Sequence, residues 1–370
     1  MKIFVATLLV SILLLSSCSK SEAFYSLEDF KKVKKIDSHI HVTTKRDAFV
    51  EQAKDDNFRL LNIVVDESRG EAWIKKQYDY SIDQINRHPE NYMFATSFSI
   101  ENWDDPDWLE HTLKWLNKNI DEGAVAVKIW KNIGMVFKDK NGSLIMMDDP
   151  RFESIFTMLA ERKVAVIGHL GEPKNCWLPI DSMTVNNDKE YFKEHPEYHM
   201  YNFPDLPSYE DQIAARDRVL QKHPDLIFVG AHMGSMSWSV DELAKRLDAY
   251  PQMAVDLAAR IGQILYQTID DREKVRDFFI QYQDRLIYAS DLSDEGEDDA
   301  NSRKAYMHKT WLEDWRFFVT DDLMTNPRVN DAFNGLKLPQ EVVDKIYFKN
   351  CNETVTKIIN IVVDYMQERE

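Results

Sequence analysis

Cysteine is scarce in this 370-residue chain, with three, at positions 18, 176 and 351. So few cannot form a disulfide framework, and a single bridge between Cys176 and Cys351 is left open by the sequence. Positive charge is also in deficit. The 46 Lys and Arg face 63 Asp and Glu, a net charge of -17. Such a surface repels phosphate backbones and argues against a nucleic-acid partner, while leaving the charge of a small substrate open. Beyond the N-terminus no apolar run is long enough to cross a bilayer. A glycine-rich phosphate-binding fingerprint is missing after the first predicted strand, which leaves a doubly wound nucleotide-binding sheet without support.

The exceptional apolar run is at the start. Lys2 precedes Ile3 to Leu15, and Ser16-Ser17-Cys18 follows. A short charged start, an apolar stretch too short to span comfortably and small residues at its end describe an export signal. Leu15-Ser16-Ser17-Cys18 also resembles a bacterial lipobox. That implies a lipoprotein signal peptide over 1–17, a lipidated Cys18, a tether over 18–30 and a domain over 31–370. The expected location is the bacterial cell envelope, on the outer membrane, with the domain in the periplasm or at the surface and its only membrane contact through the lipid. An ordinary signal peptide with an incidental cysteine, or an uncleaved anchor, fits the same residues.

Within the domain, short β-rich apolar runs alternate with longer amphipathic ones. Strands are predicted at Lys35–His41, Leu60–Asp66, Tyr92–Ser99, Ala124–Trp130, Val164–Leu170, Ile227–Met233, Met253–Leu257 and Leu286–Leu292. Most are nearly continuous in hydrophobicity, as parallel strands buried on both faces are. Helix starts lie between them. Asp149-Pro150 caps Arg151–Arg162, and Ser239-Val240-Asp241-Glu242 reads as a capping box ahead of Leu243–Ala249. Eight βα units over roughly 340 residues predict an α/β fold, a (β/α)8 TIM barrel. Extended loops are predicted after strands four, five and eight. The first is a ribbon turning at Asn141-Gly142 between Phe137 and Ile145. The second runs from Glu172 to about Pro207. The third runs from Ser293 to about Pro339 and carries a helical stretch near Trp311–Phe318. All leave the strand ends where barrel enzymes build active sites, so the second and third are candidate lids.

Polar residues interrupt the apolar runs near those same ends. Strand one, Ile36-Asp37-Ser38-His39-Ile40-His41-Val42, carries two histidines that side-chain alternation points one way. An H-x-H pair by itself serves equally well as two ordinary histidines. Strand four adds Lys128, strand five His169, strand six His232 and strand eight Asp291. Burying such groups separately costs several kcal/mol each, unless they share a partner such as a cation. Pro196 stands between His195 and His199, so their i,i+4 spacing does not place two ligands on one helix.

Asp37-x-His39-x-His41, followed by His169, His232 and Asp291, resembles the amidohydrolase superfamily of metal-dependent TIM barrels. The likeness is greatest to its amidohydrolase-2 family, which includes the aminocarboxymuconate-semialdehyde decarboxylase type. It runs from Val33 to Lys349-Asn350-Cys351-Asn352, where Lys349 and Cys351 depart from the family's closing stretch. The resemblance implies one divalent metal ion, usually Zn2+, on His39, His41, His169 and Asp291. It makes His232 a catalytic residue beside the metal and leaves Asp37 to fix strand one or a histidine. A second metal on a carbamylated Lys128 is the variant that other superfamily members suggest.

Three neutral nitrogens and a carboxylate leave a coordination position for water. Activated there, water would attack a small-molecule lactone, ester or amide, with Asp291 taking its proton. His232 would orient that water or polarise the substrate carbonyl. Lys128, Glu172 and Arg260 are the substrate-binding candidates. Arg260 can clamp a carboxylate by two parallel bonds or form a structural pair with Asp256. Non-oxidative decarboxylation on the same centre, and a non-catalytic metal-binding lipoprotein, are the competing functions. Export favours hydrolysis over decarboxylation. Oligomeric state is open, a homo-oligomer included.

Overall fold

The structure is a computed structural model describing residues 22–354. The export segment and Cys18 lie outside the described residues. Nine parallel strands form one sheet: β1 Lys35–Val42, β2 Phe58–Ile63, β3 Tyr92–Ser97, β4 Ala126–Ile129, β5 Ala165–Gly168, β6 Phe228–Gly230, β7 Met253–Asp256, β8 Leu286–Ile287 and β9 Leu292–Asp294. They pair in sequence order, β8 beside β7, and β9 beside β1 at the other end. The predicted eighth strand is therefore broken into two pieces. Its first half pairs with β7 and its second with β1, while Ser38 N donates to Tyr288 O (3.2 Å) and Asp291 N to His39 O (2.9 Å) across the gap. Those bonds close the barrel.

The helices cover its outside because their apolar stripes need a partner and the sheet offers one. Among the described residues, no helix is long and apolar enough to cross a membrane.

Of the three loop expectations, the first and third change. The ribbon after β4 is reduced to one antiparallel bridge, Lys138 with Leu144, around the Asn141-Gly142 turn. The segment after β5 is irregular, with 3-10 turns and a helix over Asn186–Glu194 that stops before Pro196. The segment after β9 is mostly not a lid. After a short loop, the helix Ala300–Val319 packs outside the barrel, capped by Asp299 and fully burying Trp311 and Trp315. Trp311 stacks on Phe58 (4.4 Å between centroids) and donates to Asp37 (2.8 Å).

The tether expectation also changes from residue 23 onward. Ala23 O accepts from Gln340 N (2.8 Å), the Tyr25 hydroxyl donates to Asp344 (2.7 Å), and Phe30 is buried. The latch is Lys35. Its buried ammonium donates to Phe30 O and Val33 O and lies over the Phe30 and Phe58 rings (4.6 and 4.7 Å). Burial pushes Lys35 down to about 7. The unfolded lysine keeps its proton to about pH 10.4, so between these values the unfolded chain binds more protons and this site favours folding increasingly as pH rises. The stability of the wild type minus that of Lys35→Met should therefore grow from pH 7 to pH 10. Urea midpoints whose difference stays flat or falls over that range would refute it.

Cys176 and Cys351 are both free and buried, so no bridge joins them.

Candidate active site

The polar strand ends meet at the C-terminal mouth of the barrel. Alternation on β1 presents His39 and His41 together, their rings 5.2 Å apart. β6 ends before its predicted length, and His232 falls in the turn that follows, at φ 57°. Asp291 falls in the break between β8 and β9, at φ 67°. Left-handed backbone at non-glycine residues costs of order 1–3 kcal/mol each and persists where surrounding structure enforces it. Both residues are aimed inward by that departure from strand geometry. A cavity of about 300 Å³ is lined by His39, His41, Lys128, His169, His232 and Asp291, with other residues around its mouth.

One ligand atom each from His39, His41 and Asp291 lies within 4.8 Å of the others. Nδ1 of His39 donates to Asp256 (2.8 Å) and Nδ1 of His41 to the Ile63 carbonyl (2.9 Å). Each bond leaves the Nε2 lone pair as the ring's donor atom for a metal. Asp291 lies 3.3 Å from His41 Nε2 and 3.5 Å from His39 Nε2. His169 is not in the 4.8 Å set, but it lines the same cavity, and its Nε2 is buried without a partner. An orphaned buried nitrogen beside three converging donors fits a divalent cation.

Charge states agree with that fit. Burial, helped by Lys128, pushes the His39 imidazolium down, and burial pushes His169 and His232 well down. Those rings are neutral, as ligation requires. Burial opposes ionisation of Asp291, but the cationic surroundings, Lys128 among them, outweigh it and hold the carboxyl well below its usual range.

Lys128 is buried, with Nζ 3.2 Å from His39 Nε2, and burial pushes it down to about 8. Glu172 and Arg260 are brought together with each other rather than to the cavity lining. Glu172 pairs with Lys131 and lies 3.6 Å from Arg260, and Tyr191 bonds Lys131 at 3.0 Å. The Asp256–Arg260 pair weighed as the alternative role for Arg260 is replaced. Asp256 accepts instead from His39 Nδ1 at one oxygen, and from the His232 (2.7 Å) and Ala258 (3.2 Å) amides at the other. Asp37 accepts from Ser290 N (3.0 Å), Ser290 Oγ (2.5 Å) and Trp311, tying β1 to the broken eighth strand.

Sequence reasoning passed over Lys131, Arg69, Trp73 and the role of Asp256. Asp256 shared the signal of the other polar strand ends; the rest sit in loops without a periodic cue.

The family model described as Amidohydrolase matches residues 36–353. An amidohydrolase-assigned structure from Staphylococcus aureus is 12% identical, covering 87% of this chain and 99% of that one at a TM-score of 0.53. An uncharacterised TIM-barrel protein from Bordetella bronchiseptica is 13% identical over 88% of this chain and 99% of its own, with a TM-score of 0.48. A 4-oxalomesaconate hydratase from Rhodopseudomonas palustris is 12% identical over 91% of this chain and 100% of its own, with a TM-score of 0.47. At such identities the likeness is one of fold. Among the curated proteins, none matches.

Proposed function

Since this chain belongs to the amidohydrolase family, we propose that it hydrolyses a C–O or C–N bond of a small lactone, ester or amide at the site built on His39, His41, His169 and Asp291. The observation that carries the proposal is the convergence of His39, His41 and Asp291 beside the unpartnered Nε2 of His169. These four residues would hold one divalent ion, and a nitrogen-and-carboxylate set suits zinc. Bound there, the ion would act as a Lewis acid and lower the pKa of water to ~7.

The chain's own residues divide the remaining work. Asp291, held ionised, is the proton acceptor for the attacking water, and its carboxyl can return that proton to the leaving oxygen or nitrogen. His232 donates through Nδ1 to Ala258 O (2.9 Å), so its Nε2 is an acceptor that can orient the water. Neutral and with that proton committed, the ring has no donor left for polarising a carbonyl. Lys128 is the cation placed to stabilise negative charge developing on the substrate oxygen. Water adds to the acyl carbon, the bond to the leaving group breaks, and the proton passes from water to leaving group through Asp291.

The test is a panel of sugar lactones, esters, amides and aromatic acids, assayed before and after chelation and after divalent metal is restored. Hydrolysis that disappears with the metal and returns with it is the expected result. Release of CO2 without hydrolysis would overturn the proposal in favour of decarboxylation. Turnover of nothing by the reloaded protein would sink both.

A further inference from the structure

A second cavity lies away from the barrel mouth. About 270 Å³ in volume, it sits between the helix Ile261–Asp270, the helix Ala300–Val319 and a small hairpin, β10 Leu323–Met324 paired with β11 Phe333–Asn334. It shares no lining residue with the cavity of His39 and Asp291. Its size is at the small end of ligand pockets.

Helix periodicity carries one acid to its wall. On Ala300–Val319, Trp311, Trp315 and Phe318 recur at helical spacing and are fully buried. Asp314 and Phe317 form the adjoining stripe, which lines the cavity opposite Ile261 and Leu265. Ile261, Leu265, Phe317 and Phe333 make the buried wall apolar, and Leu323, 69% exposed, stands at the open rim.

Asp314 is out of keeping with that wall. It is 5% exposed, and its one hydrogen bond among the described residues comes from the Tyr288 hydroxyl to Oδ2 (2.8 Å). Oδ1 has no donor among them. An ionised carboxylate offers ~four acceptor positions, so most of this one's capacity is unused. Burial pushes its pKa up to about 6, against the field of Arg328 and the Tyr288 bond. Serving Tyr288 does not account for the acid, since a neutral amide oxygen accepts the same bond without the cost of a buried charge.

The rim charges do not compensate it. Arg316 Nε donates to Asp322 (2.8 Å), and Glu313, a second acid on the lining, lies 3.9 Å from Lys309. Arg328 acts through its field alone, with no ion pair to Asp314 among the described residues. A buried carboxylate with a free oxygen in an apolar wall complements an ammonium carried on an apolar body.

We propose that this cavity binds a small organic ammonium ion, a primary amine on an apolar or aromatic body. Its N–H donates to Asp314 Oδ1, and its body lies against Leu265, Phe317 and Phe333. The site is separate from the metal centre and stands whether or not the hydrolase reading does.

The test titrates 2-phenylethylamine and its neutral counterpart 2-phenylethanol into the full chain loaded with divalent metal, by calorimetry at about pH 8, where amine and carboxylate are both charged. Wild type should bind the amine at least about tenfold more tightly, the discrimination one charge-assisted pair supports. Asp314→Asn keeps an oxygen for Tyr288 and should bring the amine down to the alcohol, leaving the alcohol unchanged. Leu323→Lys, made at an exposed rim position that does not threaten folding, offers a tethered ammonium to the same carboxylate and should also weaken the amine. Equal binding of amine and alcohol by wild type would overturn the proposal. So would wild-type amine affinity in a natively folded Asp314→Asn protein, the result expected if the amine sat on the metal instead. Should Asp314→Asn not fold, amine binding unchanged in Leu323→Lys would overturn it.

Discussion

Asp291→Asn is expected to lower the metal-dependent hydrolysis rate by about 10²–10⁴-fold, the range over which a positioned acid–base group acts. The amide has nearly the same shape, so the barrel should remain folded and the break between β8 and β9 intact. What it loses is the negative charge that His39 and His41 face at 3.5 and 3.3 Å and the capacity to take water's proton. Both losses act at once, and they are separable. Metal content measured beside kcat/KM tells a weakened ligand from a missing base, because excess metal restores the first and not the second. Full activity in Asp291→Asn would defeat the mechanism.

Asp256→Asn should weaken metal binding by about 10–100-fold, although Asp256 need never touch the ion. Both oxygens of this buried carboxylate accept: one from His39 Nδ1, the other from the amides of His232 and Ala258. An amide has one acceptor oxygen, so one side must set N–H against N–H. The cheapest relief moves the His39 proton to Nε2, which removes the lone pair offered to the metal. Asp256 is a positioning residue for His39 on β1 and for the turn after β6 that carries His232. Competition with a chromophoric chelator measures the affinity directly. An affinity within twofold of wild type, in protein that unfolds at the wild-type urea midpoint, would show that Asp256 merely fills space.

Sequence alone determined the barrel and most of the residues at its mouth. Eight apolar runs at α/β spacing leave few architectures, because parallel strands buried on both faces cannot tolerate polar residues except where a partner receives them. That is why His39, His41, Lys128, His169, His232 and Asp291 were legible as a group: each breaks a run near the same end.

Tertiary structure decided what depends on loops and on pairs far apart in the chain. The eighth run gave no sign that it would split, since the break serves closure with β1 and the left-handed turn at Asp291. Arg260 was free to choose between acids 4 and 88 residues away in sequence, and packing beside Lys131 chose Glu172 over Asp256. Trp311 and Trp315 read as a helical stretch within a candidate lid, because a 20-residue helix against the barrel and a helix over its mouth draw on the same aromatic composition. Glu67, Arg69 and Trp73 were invisible for a related reason: they reach the cavity mouth on a left-handed turn, and such a turn has no period by which a sequence could show that the backbone brings its residues to the rim that β1 and its histidines define.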